Sequence, residues 1–239
     1  MISNNHDNLA INLTNIVFKY PGSNNNIIDN LSLQFQSKSQ IGIIAPNGSG
    51  KTTLLHIIMG LLKPDAGKIE IFGKQIKTKK DYEDIRRKIG LVFQDADDQL
   101  FCPTVIEDIA FGPLNFGKSR EQAKKIAHDT LDILGLRGFE SKITYKLSGG
   151  EKKLIALATV LAMQPEILLL DEPSAGLDEK TKEKLISVLS NIDTSYILIS
   201  HEHDFLYKLT DSIYTIKKGK ILVAGKIHKH AHIHPHLSH

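Results

Sequence analysis

The sequence predicts an α/β protein whose core is a mainly parallel β-sheet with helices on both faces. Two observations lead to this prediction. Short segments rich in β-branched and apolar residues alternate with segments of helical periodicity along most of the 239 residues. One short segment, Ile167–Leu170, is apolar at every position, which is typical of a strand buried on both faces. Strands that alternate with helices favour a parallel sheet.

The first 94 residues contain five predicted strands and one predicted helix. Turn-forming residues precede two of the strands, at Pro21–Asn26 and at Lys63–Gly67. The strands are predicted at Ile11–Tyr20, Leu31–Phe35, Gln40–Ala45, Lys68–Phe72 and Ile89–Phe93, and the helix at Lys51–Leu62.

From residue 95 to residue 146 the pattern becomes mostly helical, and it then returns to alternation. Gly112, Pro113 and Gly117 are helix breakers that we expect to separate the two helices of this insert. Helices are predicted at Thr104–Phe111, Ser119–Leu134, Gly150–Met163 and Glu179–Leu189, and strands at Glu166–Leu170 and Ser195–Ser200. We therefore expect one domain over residues 1–227, with a core at 1–94 and 147–227, a helical subdomain at 95–146, and a flexible His-rich tail at 228–239.

Composition excludes several classes of protein. The formal net charge of +3 is too small to indicate a nucleic-acid partner. No apolar run approaches the roughly 20 residues that span a bilayer, and Met1–Ala10 is polar, unlike a secretory signal. Cys102 is the only cysteine, so an internal disulfide is impossible and a reducing compartment is favoured. Any membrane role should therefore be peripheral.

A phosphate-binding loop is indicated by Ala45–Thr52, which follows a predicted strand and opens a predicted helix. Its backbone N–H groups and the helix N-terminus can bind phosphate oxygens. These N–H groups belong to Gly48, Ser49, Gly50 and Lys51. Lys51 would neutralise the terminal phosphates, and the Thr52 hydroxyl would bind Mg²⁺. Ala45 replaces the usual first glycine, which is harmless at the negative φ that we expect. The alternative is a chance glycine-rich turn.

Two acids, Asp171 and Glu172, follow the apolar strand at its carboxyl end, where ligands bind in open α/β sheets. Asp171 can hold Mg²⁺, directly or through water. Glu172 can orient and deprotonate an attacking water. The structural alternative is a pair of surface acids after a core strand, and the upstream phosphate loop disfavours it.

The segment Leu147–Glu151 discriminates among phosphate-loop enzymes. Ser148, Gly149 and Gly150 stand at a predicted helix N-terminus and provide a second anion site. The segment resembles the Leu-Ser-Gly-Gly-Gln signature of ABC-family ATPases, with Glu151 in place of glutamine. The resemblance implies the ABC-ATPase fold of P-loop NTPases, with an antiparallel β region beside the parallel core. It also implies a head-to-tail dimer that closes each ATP between the phosphate loop of one copy and the signature of the other.

Further positions match the same family in order. The resemblance implies that Tyr20 stacks on adenine, that Gln94 links Mg²⁺ and water to a membrane partner, and that His201 reaches the γ-phosphate. It places Asp178 at the end of a loop, Ser174–Asp178, that crosses the dimer interface. A tyrosine that merely closes a strand is the alternative for Tyr20. Other central histidines are interpreted as structural, namely His56, His128 and His203.

The candidate site therefore has three sets of residues. The catalytic set is Glu172, His201, Lys51 and Gln94. The nucleotide-binding set is Tyr20, Asn47, Gly48, Ser49, Gly50, Lys51, Thr52, Thr53, Ser148, Gly149, Gly150 and Asp178. The set for Mg²⁺ is Thr52, Gln94 and Asp171.

Three segments indicate a subfamily. Val92–Phe101 looks like the Gln-loop of energy-coupling factor importers, which move vitamins and transition metals. Val105–Pro113 and Val160–Pro165 are similar to stretches of the same proteins, although any ABC ATPase has a polar Gln-loop followed by a helix. The resemblance implies a homodimer bound to a transmembrane scaffold subunit and a cargo-binding membrane subunit. Such a dimer would lie at the cytoplasmic face of the inner membrane, without nucleic acid.

The tail suggests a cargo. His228, His230, His232, His234 and His236 alternate, so an extended backbone would set them on one face. Dense neutral imidazoles suit Ni²⁺, Co²⁺, Cu²⁺ or Zn²⁺. We hypothesise that the tail buffers nickel or cobalt. A tail added for purification and a low-complexity terminus are the alternatives.

The function that the sequence predicts is ATP binding and hydrolysis in an importer for a transition metal, cobalt or nickel, or for a vitamin. An ATPase subunit of another ABC transporter class is the closest alternative. A soluble ABC ATPase acting on DNA or ribosomes is the second, although the weak net charge argues against a nucleic-acid surface.

Overall fold

A computed structural model describes residues 8–226 of the chain, and these residues form ten strands and seven α-helices. The strands are β1 (Leu9–Phe18), β2 (Ile28–Gln36), β3 (Gln40–Ile44), β4 (Ala66–Ile71), β5 (Lys74–Gln75), β6 (Ile89–Val92), β7 (Ile167–Asp171), β8 (Ser195–Ile199), β9 (Ser212–Lys217) and β10 (Lys220–Lys226). The helices are α1 (Lys51–Ile58), α2 (Lys79–Arg86), α3 (Val105–Asn115), α4 (Arg120–Ile133), α5 (Gly149–Leu161), α6 (Glu179–Asn191) and α7 (His203–Leu209).

The strands form two sheets. The larger sheet has the order β10-β9-β3-β8-β7-β6, and every pair in it is parallel except β9 with β10. The smaller sheet has the order β2-β1-β4-β5 and is antiparallel throughout. The predicted fold, a mainly parallel core with an antiparallel β region, is therefore confirmed.

The alternation of side chains along β7 explains why the larger sheet is covered on both faces. Leu168 and Leu170 pack into a hydrophobic core shared with α3, α4, α5 and α6. Ile167 and Leu169 point to the other side, where they pack with α1 and the antiparallel sheet. All five residues of β7 are buried, so its carboxyl end is fixed on both sides.

The segment between β6 and α5 is mostly helical, as predicted. It contains α3, α4 and two short 3-10 turns, and its only strand-like pairing is a bridge between Thr104 and Ile143. Asp108 holds the segment together, because its buried carboxylate accepts hydrogen bonds from the Cys102 N–H (2.9 Å) and the Thr144 hydroxyl (3.1 Å). The division into a core and a helical subdomain stays a prediction.

The prediction that Gly112 and Pro113 end the first helix of this segment is wrong. Both residues lie inside α3, which continues to Asn115. A Cβ atom on Gly112 would lie 2.0 Å from the sulfur of Met163, so this glycine permits close packing against the end of α5. Tertiary packing thus overrides the local tendency to break, and the carbonyls of Gly112 and Pro113 accept from the Phe116 N–H.

Other boundaries also differ from the predictions. The predicted helix to Leu62 ends at Ile58, because Gly60 adopts a φ of 66° and the Leu61 N–H turns back to the His56 carbonyl (2.8 Å). β1 ends at Phe18 rather than at Tyr20. The elements β5, α2, α7, β9 and β10 had no prediction. Within residues 8–226, no helix is long and apolar enough to cross a membrane.

Candidate functional site

The candidate site lies where three neighbouring parallel strands of the larger sheet end. β3 leads into the predicted phosphate loop, β7 ends at Asp171, and β8 is followed closely by His201. Because β3 pairs with β8 and β8 pairs with β7, their carboxyl ends lie side by side. The topology therefore brings together three motifs that are distant in sequence. The phosphate loop lies more than 100 residues before the other two.

The loop between β3 and α1 has the backbone that phosphate binding requires. Gly50 has a φ of 95°, and a Cβ atom there would lie 2.8 Å from the Ile28 side chain, so only glycine fits. Gly48 also has a positive φ, of 73°. Ala45 is not among the residues with positive φ, as expected from the sequence. Gly50 offers α1 no side-chain cap, which leaves first-turn N–H groups available to an anion.

Lys51 is buried in the centre of the site. Its ammonium group donates hydrogen bonds to the carbonyls of Ala45 (2.6 Å) and Pro46 (3.3 Å), and it lies 3.7 Å from Glu172 Oε1. Burial lowers the pKa of Lys51, and the nearby carboxylates of Glu172 and Asp171 oppose this effect. The charged end of the Lys51 side chain is thus held beside the loop.

Asp171 is 2% exposed, and the oxygen Oδ1 of its carboxylate has no hydrogen-bond partner among the described residues. Burial raises the pKa of Asp171, while a hydrogen bond from Thr52 and the charges of Lys51 and Lys153 oppose the rise. An unpaired buried oxygen costs stability, and such a site fits a bound cation.

Glu172 is also buried, and its backbone is strained. It has a φ of 48°, in the left-handed region that side chains other than glycine rarely adopt. Its N–H donates to the Ile199 carbonyl (3.0 Å), and its own carbonyl accepts from Lys153 Nζ (3.0 Å). Strained residues of this kind persist only when their surroundings hold them, and they cluster at functional sites.

His201 connects the three motifs. Its Nε2 atom lies 2.9 Å from Glu172 Oε1, 2.9 Å from Asn47 Oδ1 and 3.0 Å from Lys51 Nζ. The His201 backbone N–H also donates to Glu172 Oε2 (3.2 Å). If Nε2 carries a proton, it donates to Glu172 Oε1 or to Asn47 Oδ1. If Nε2 carries no proton, it accepts a hydrogen bond from Lys51. The predicted residues Lys51, Asn47, Glu172 and His201 therefore form one polar cluster.

The residues predicted to hold Mg²⁺ line a single cleft of about 520 Å³. Thr52, Gln94 and Asp171 share it with Gly149 and His56. Among residues 8–226 there is no group of three or more His, Cys, Asp or Glu side chains that could hold a metal. The set fits Mg²⁺, which takes a few protein oxygens and completes its shell with water and phosphate oxygens.

Tyr20 and Thr53 contact each other through their hydroxyl groups. The Tyr20 hydroxyl and Thr53 Oγ1 are 2.9 Å apart, and the Tyr20 ring packs edge-on against Phe18 with centroids 5.0 Å apart. Tyr20 is 44% exposed, and its stacking on adenine stays a prediction. Ser49 lies in the loop with its hydroxyl buried and without a hydrogen-bond partner in the described part of the chain.

The second predicted anion site lies at the N-terminus of α5. Ser148 caps this helix reciprocally with Glu151: the Ser148 N–H donates to Oε2 (2.8 Å), and the Glu151 N–H donates to the serine hydroxyl (3.3 Å). Lys142 also binds Glu151 (3.0 Å). These bonds lower the pKa of Glu151 and occupy its carboxylate within the chain. Asp178 caps α6 by a one-way bond, in which its carboxylate accepts from the Thr181 N–H (2.9 Å).

Two residues in the site were missed by the sequence analysis. His56 was interpreted as structural, yet it lines the same cleft as Asp171 and packs edge-on against Phe93, with ring centroids 6.0 Å apart. Lys153 received no role, although it binds the Glu172 carbonyl. The only sequence signal for Lys153 was its place directly before the apolar part of α5.

Comparisons with known proteins agree with this geometry. A family model described as ABC transporter matches residues 28–175. An uncharacterised ABC transporter ATP-binding protein of Haemophilus influenzae is 46% identical over 190 residues, which cover 80% of this chain and 88% of that protein. The energy-coupling factor transporter ATP-binding protein EcfA of Methanocaldococcus jannaschii is 40% identical over 214 residues, which cover 88% of this chain and 76% of that protein.

Solved structures are similar along nearly the whole chain. The cbiO1 protein of Clostridium perfringens, part of the ABC transporter complex cbiONQ, has a TM-score of 0.80 at 30% identity, covering 90% of this chain and 87% of that one. A dimeric ATP-binding cassette in a post-hydrolysis state, bound to ADP and Pi, has a TM-score of 0.83 at 28% identity, covering 92% of this chain and 100% of that one.

Replacement of the buried carboxylate of Asp171 should stabilise the folded chain. Because its pKa is raised on folding, its charged form opposes folding above that pKa, and the opposition disappears below the pKa of the unfolded chain. Asp171→Asn should therefore raise the free energy of unfolding at pH 7 by on the order of 1 kcal/mol, and the gain should vanish as the pH falls below about 4. Urea unfolding at several pH values measures this difference. A variant that is less stable than the wild type at pH 7 contradicts it.

Proposed function

The chain belongs to the ABC transporter ATP-binding family, and from that premise we propose that it powers an importer of the energy-coupling factor type. Like other members of this family it is an ATPase that binds ATP. The observation that best supports a hydrolytic role is the cluster of Lys51, Glu172 and His201 beside a glycine-rich loop, within 3.7 Å of one another. A scaffold without activity would not need a strained, buried acid at this point.

Each residue of the cluster has a defined task in the proposed reaction. The loop N–H groups and Lys51 bind the phosphates, and Lys51 moves to them from the carbonyls that it now contacts. Glu172 accepts the proton of the attacking water, and His201 orients the γ-phosphate. Thr52, Gln94 and Asp171 would hold Mg²⁺, which supplies positive charge to the phosphate oxygens when it is bound.

The proposed partner at the second anion site is another copy of this chain. Ser148 and Gly149 are exposed at the N-terminus of α5, where backbone N–H groups and the helix dipole favour an anion. A head-to-tail dimer would bring them to the γ-phosphate bound by the other copy. The similarity to a dimeric ATP-binding cassette supports this arrangement.

An exposed apolar groove supports a membrane subunit as the next partner. It is lined by residues of α3, α5 and the segments around β6, including Leu61, Phe93, Phe101, Phe111 and Met163. Phe101 is 66% exposed and Phe111 is 45% exposed, and their rings meet edge-on. Apolar surface of this kind marks a protein interface. We propose that a transmembrane scaffold subunit docks here, together with a separate cargo-binding membrane subunit, at the cytoplasmic face of the membrane.

The subfamily and the cargo are narrower parts of the proposal. The energy-coupling factor type is supported by 40% identity to EcfA and by the structural similarity to cbiO1. A nickel or cobalt cargo, in preference to a vitamin, is suggested by the alternating histidines of residues 228–239. These residues lie outside the described part of the chain, so this suggestion stands on the sequence alone.

Glu172→Gln tests the proposed base. The amide keeps the size of the side chain but cannot accept the proton of water, so ATP should still bind while kcat falls by about a thousandfold or more. Bound ATP should then hold the chain as a dimer in size-exclusion chromatography with ATP and Mg²⁺. Glu166→Gln is the matched control, because Glu166 is exposed and pairs with Lys88 away from the site. Turnover at the wild-type rate in Glu172→Gln contradicts the role.

Isolation of the chain from its native membranes tests the proposed partners. A pull-down in mild detergent, followed by mass spectrometry, should recover a helical transmembrane scaffold and a small cargo-binding membrane protein. Phe101→Ser, which removes exposed apolar surface from the groove, should lower that recovery several-fold while ATP hydrolysis continues. Recovery of soluble partners alone, with nucleic acid or ribosomes, contradicts a transporter role.

Removal of the tail tests the proposed cargo. Nickel binding, measured by calorimetry, should disappear when residues 228–239 are deleted, because neutral imidazoles are the expected ligands. A chain of full length with glutamine at the five alternating histidines should bind as weakly as the truncated chain. Full nickel binding by the truncated chain would rule out a metal-buffering tail.

A further inference from the structure

Lys153 lies on α5, and its side chain binds the backbone of the strained residue Glu172. We propose that Lys153 is a positioning residue, which holds Glu172 in its strained conformation and couples it to the second anion site on the same helix. The inference rests on the proposed role of Glu172 as the base.

The hydrogen bonds around Glu172 show how Lys153 can hold the backbone that carries the Glu172 side chain. The Glu172 N–H donates to Ile199 (3.0 Å), while the Glu172 carbonyl accepts from the Ala175 N–H (3.2 Å) and from Lys153 Nζ (3.0 Å). Two donors on one carbonyl fix the peptide plane that follows Glu172. Because the Glu172 backbone is held at both its N–H and its carbonyl, its Cα stays at a φ of 48°, and its carboxylate lies 2.9 Å from His201 Nε2. Loss of the charged donor would let the residue relax toward ordinary backbone angles.

The surroundings of Lys153 are unusual for a cation. Its stem lines a small cavity with Phe93, Pro173 and Leu177, and the side chain is half-buried. Burial lowers the pKa of Lys153, and the negative charges of nearby carboxylates oppose this effect. These carboxylates are Glu172, Asp95 and Asp171. The ammonium group is held in this half-buried position by those charges and by its hydrogen bond to the Glu172 carbonyl (3.0 Å).

The same helix carries the proposed contact to the ATP of the other copy. Ser148 caps α5, and Lys153 follows little more than one turn later. A Cβ atom on Gly150 would lie 3.3 Å from Thr181 and 3.5 Å from Leu177, so α5 packs directly on the segment that follows Glu172. A shift of α5 caused by ATP at its N-terminus would therefore reach Glu172 of the same chain. The two ATP sites of a dimer would be coupled through this lysine.

Steady-state ATP hydrolysis by Lys153→Met tests the inference. Methionine keeps the length and the apolar stem but removes the donor. We expect kcat to fall by about ten- to a hundredfold, the effect of misplacing a reactive group by roughly 1 Å, with KM for ATP within about twofold of the wild type. The Hill coefficient for ATP should be lower than that of the wild type, and an unchanged coefficient would overturn the proposed coupling. Lys153→Arg keeps a charged donor and should recover most of kcat.

Lys184→Met is the matched control. Lys184 is also a half-buried helical lysine that donates to a backbone carbonyl, that of Gly135 (2.8 Å), and burial lowers its pKa as well. It should keep the wild-type kcat. In a Glu172→Gln background, Lys153→Met should still form the ATP-dependent dimer, which verifies that the chain folds and that α5 binds nucleotide.

The outcomes separate this inference from the proposed function. If Glu172→Gln is inactive but Lys153→Met has the kcat of the wild type, the positioning role alone is overturned. The positioning role is also overturned if kcat falls equally in Lys184→Met. The same holds if Lys153→Arg loses as much kcat as Lys153→Met. Wild-type turnover in Glu172→Gln overturns the base and the positioning role together.

Discussion

Two adjacent carboxylates are buried at the carboxyl end of β7, and the rest of the site is arranged to tolerate them. Asp171 and Glu172 are 2% and 5% exposed, where an isolated negative charge is costly. Lys51 on α1, Lys153 on α5 and His201 in the loop after β8 lie around the pair, and one oxygen of Asp171 still has no partner among the described residues. The fold therefore holds an arrangement that a bound cation and phosphates would complete.

The helix α5 joins this pair to the rest of the molecule. The second proposed anion site lies at its N-terminus, and the segment that follows β6 contacts it further along. Gln99 of that segment donates to the Ala156 carbonyl (2.7 Å) and to Thr159 Oγ1 (2.7 Å), and it accepts from the Phe93 N–H (3.2 Å). The loop beside the apolar groove, the signature and Glu172 thus contact one helix. A displacement of that segment would therefore act directly on α5 through Gln99.

Much of this arrangement could be predicted from the sequence, and the exceptions have physical causes. The phosphate loop, the buried strand before Asp171 and the glycines at helix N-termini are local signals, so their positions follow from composition and spacing. The prediction of a helix end at Gly112 and Pro113 was wrong, because their tendency to break a helix is overridden by the packing of Gly112 against Met163. The contact of Lys153 with Glu172 could not be predicted, since it joins residues on different parts of the chain, 19 positions apart. The left-handed backbone of Glu172 had no sequence signal either, because glutamate rarely adopts it.

The most direct measurement is a crystal structure of the chain with Mg²⁺ and an ATP analogue that cannot be hydrolysed. We expect Lys51 Nζ to leave the carbonyls of Ala45 and Pro46 for phosphate oxygens, while Asp171 Oδ1 approaches the ion directly or through water. Glu172 should keep its positive φ and its bond to Lys153. Nucleotide bound away from the loop, with Lys51 still on the two carbonyls, would contradict the proposed ATP site.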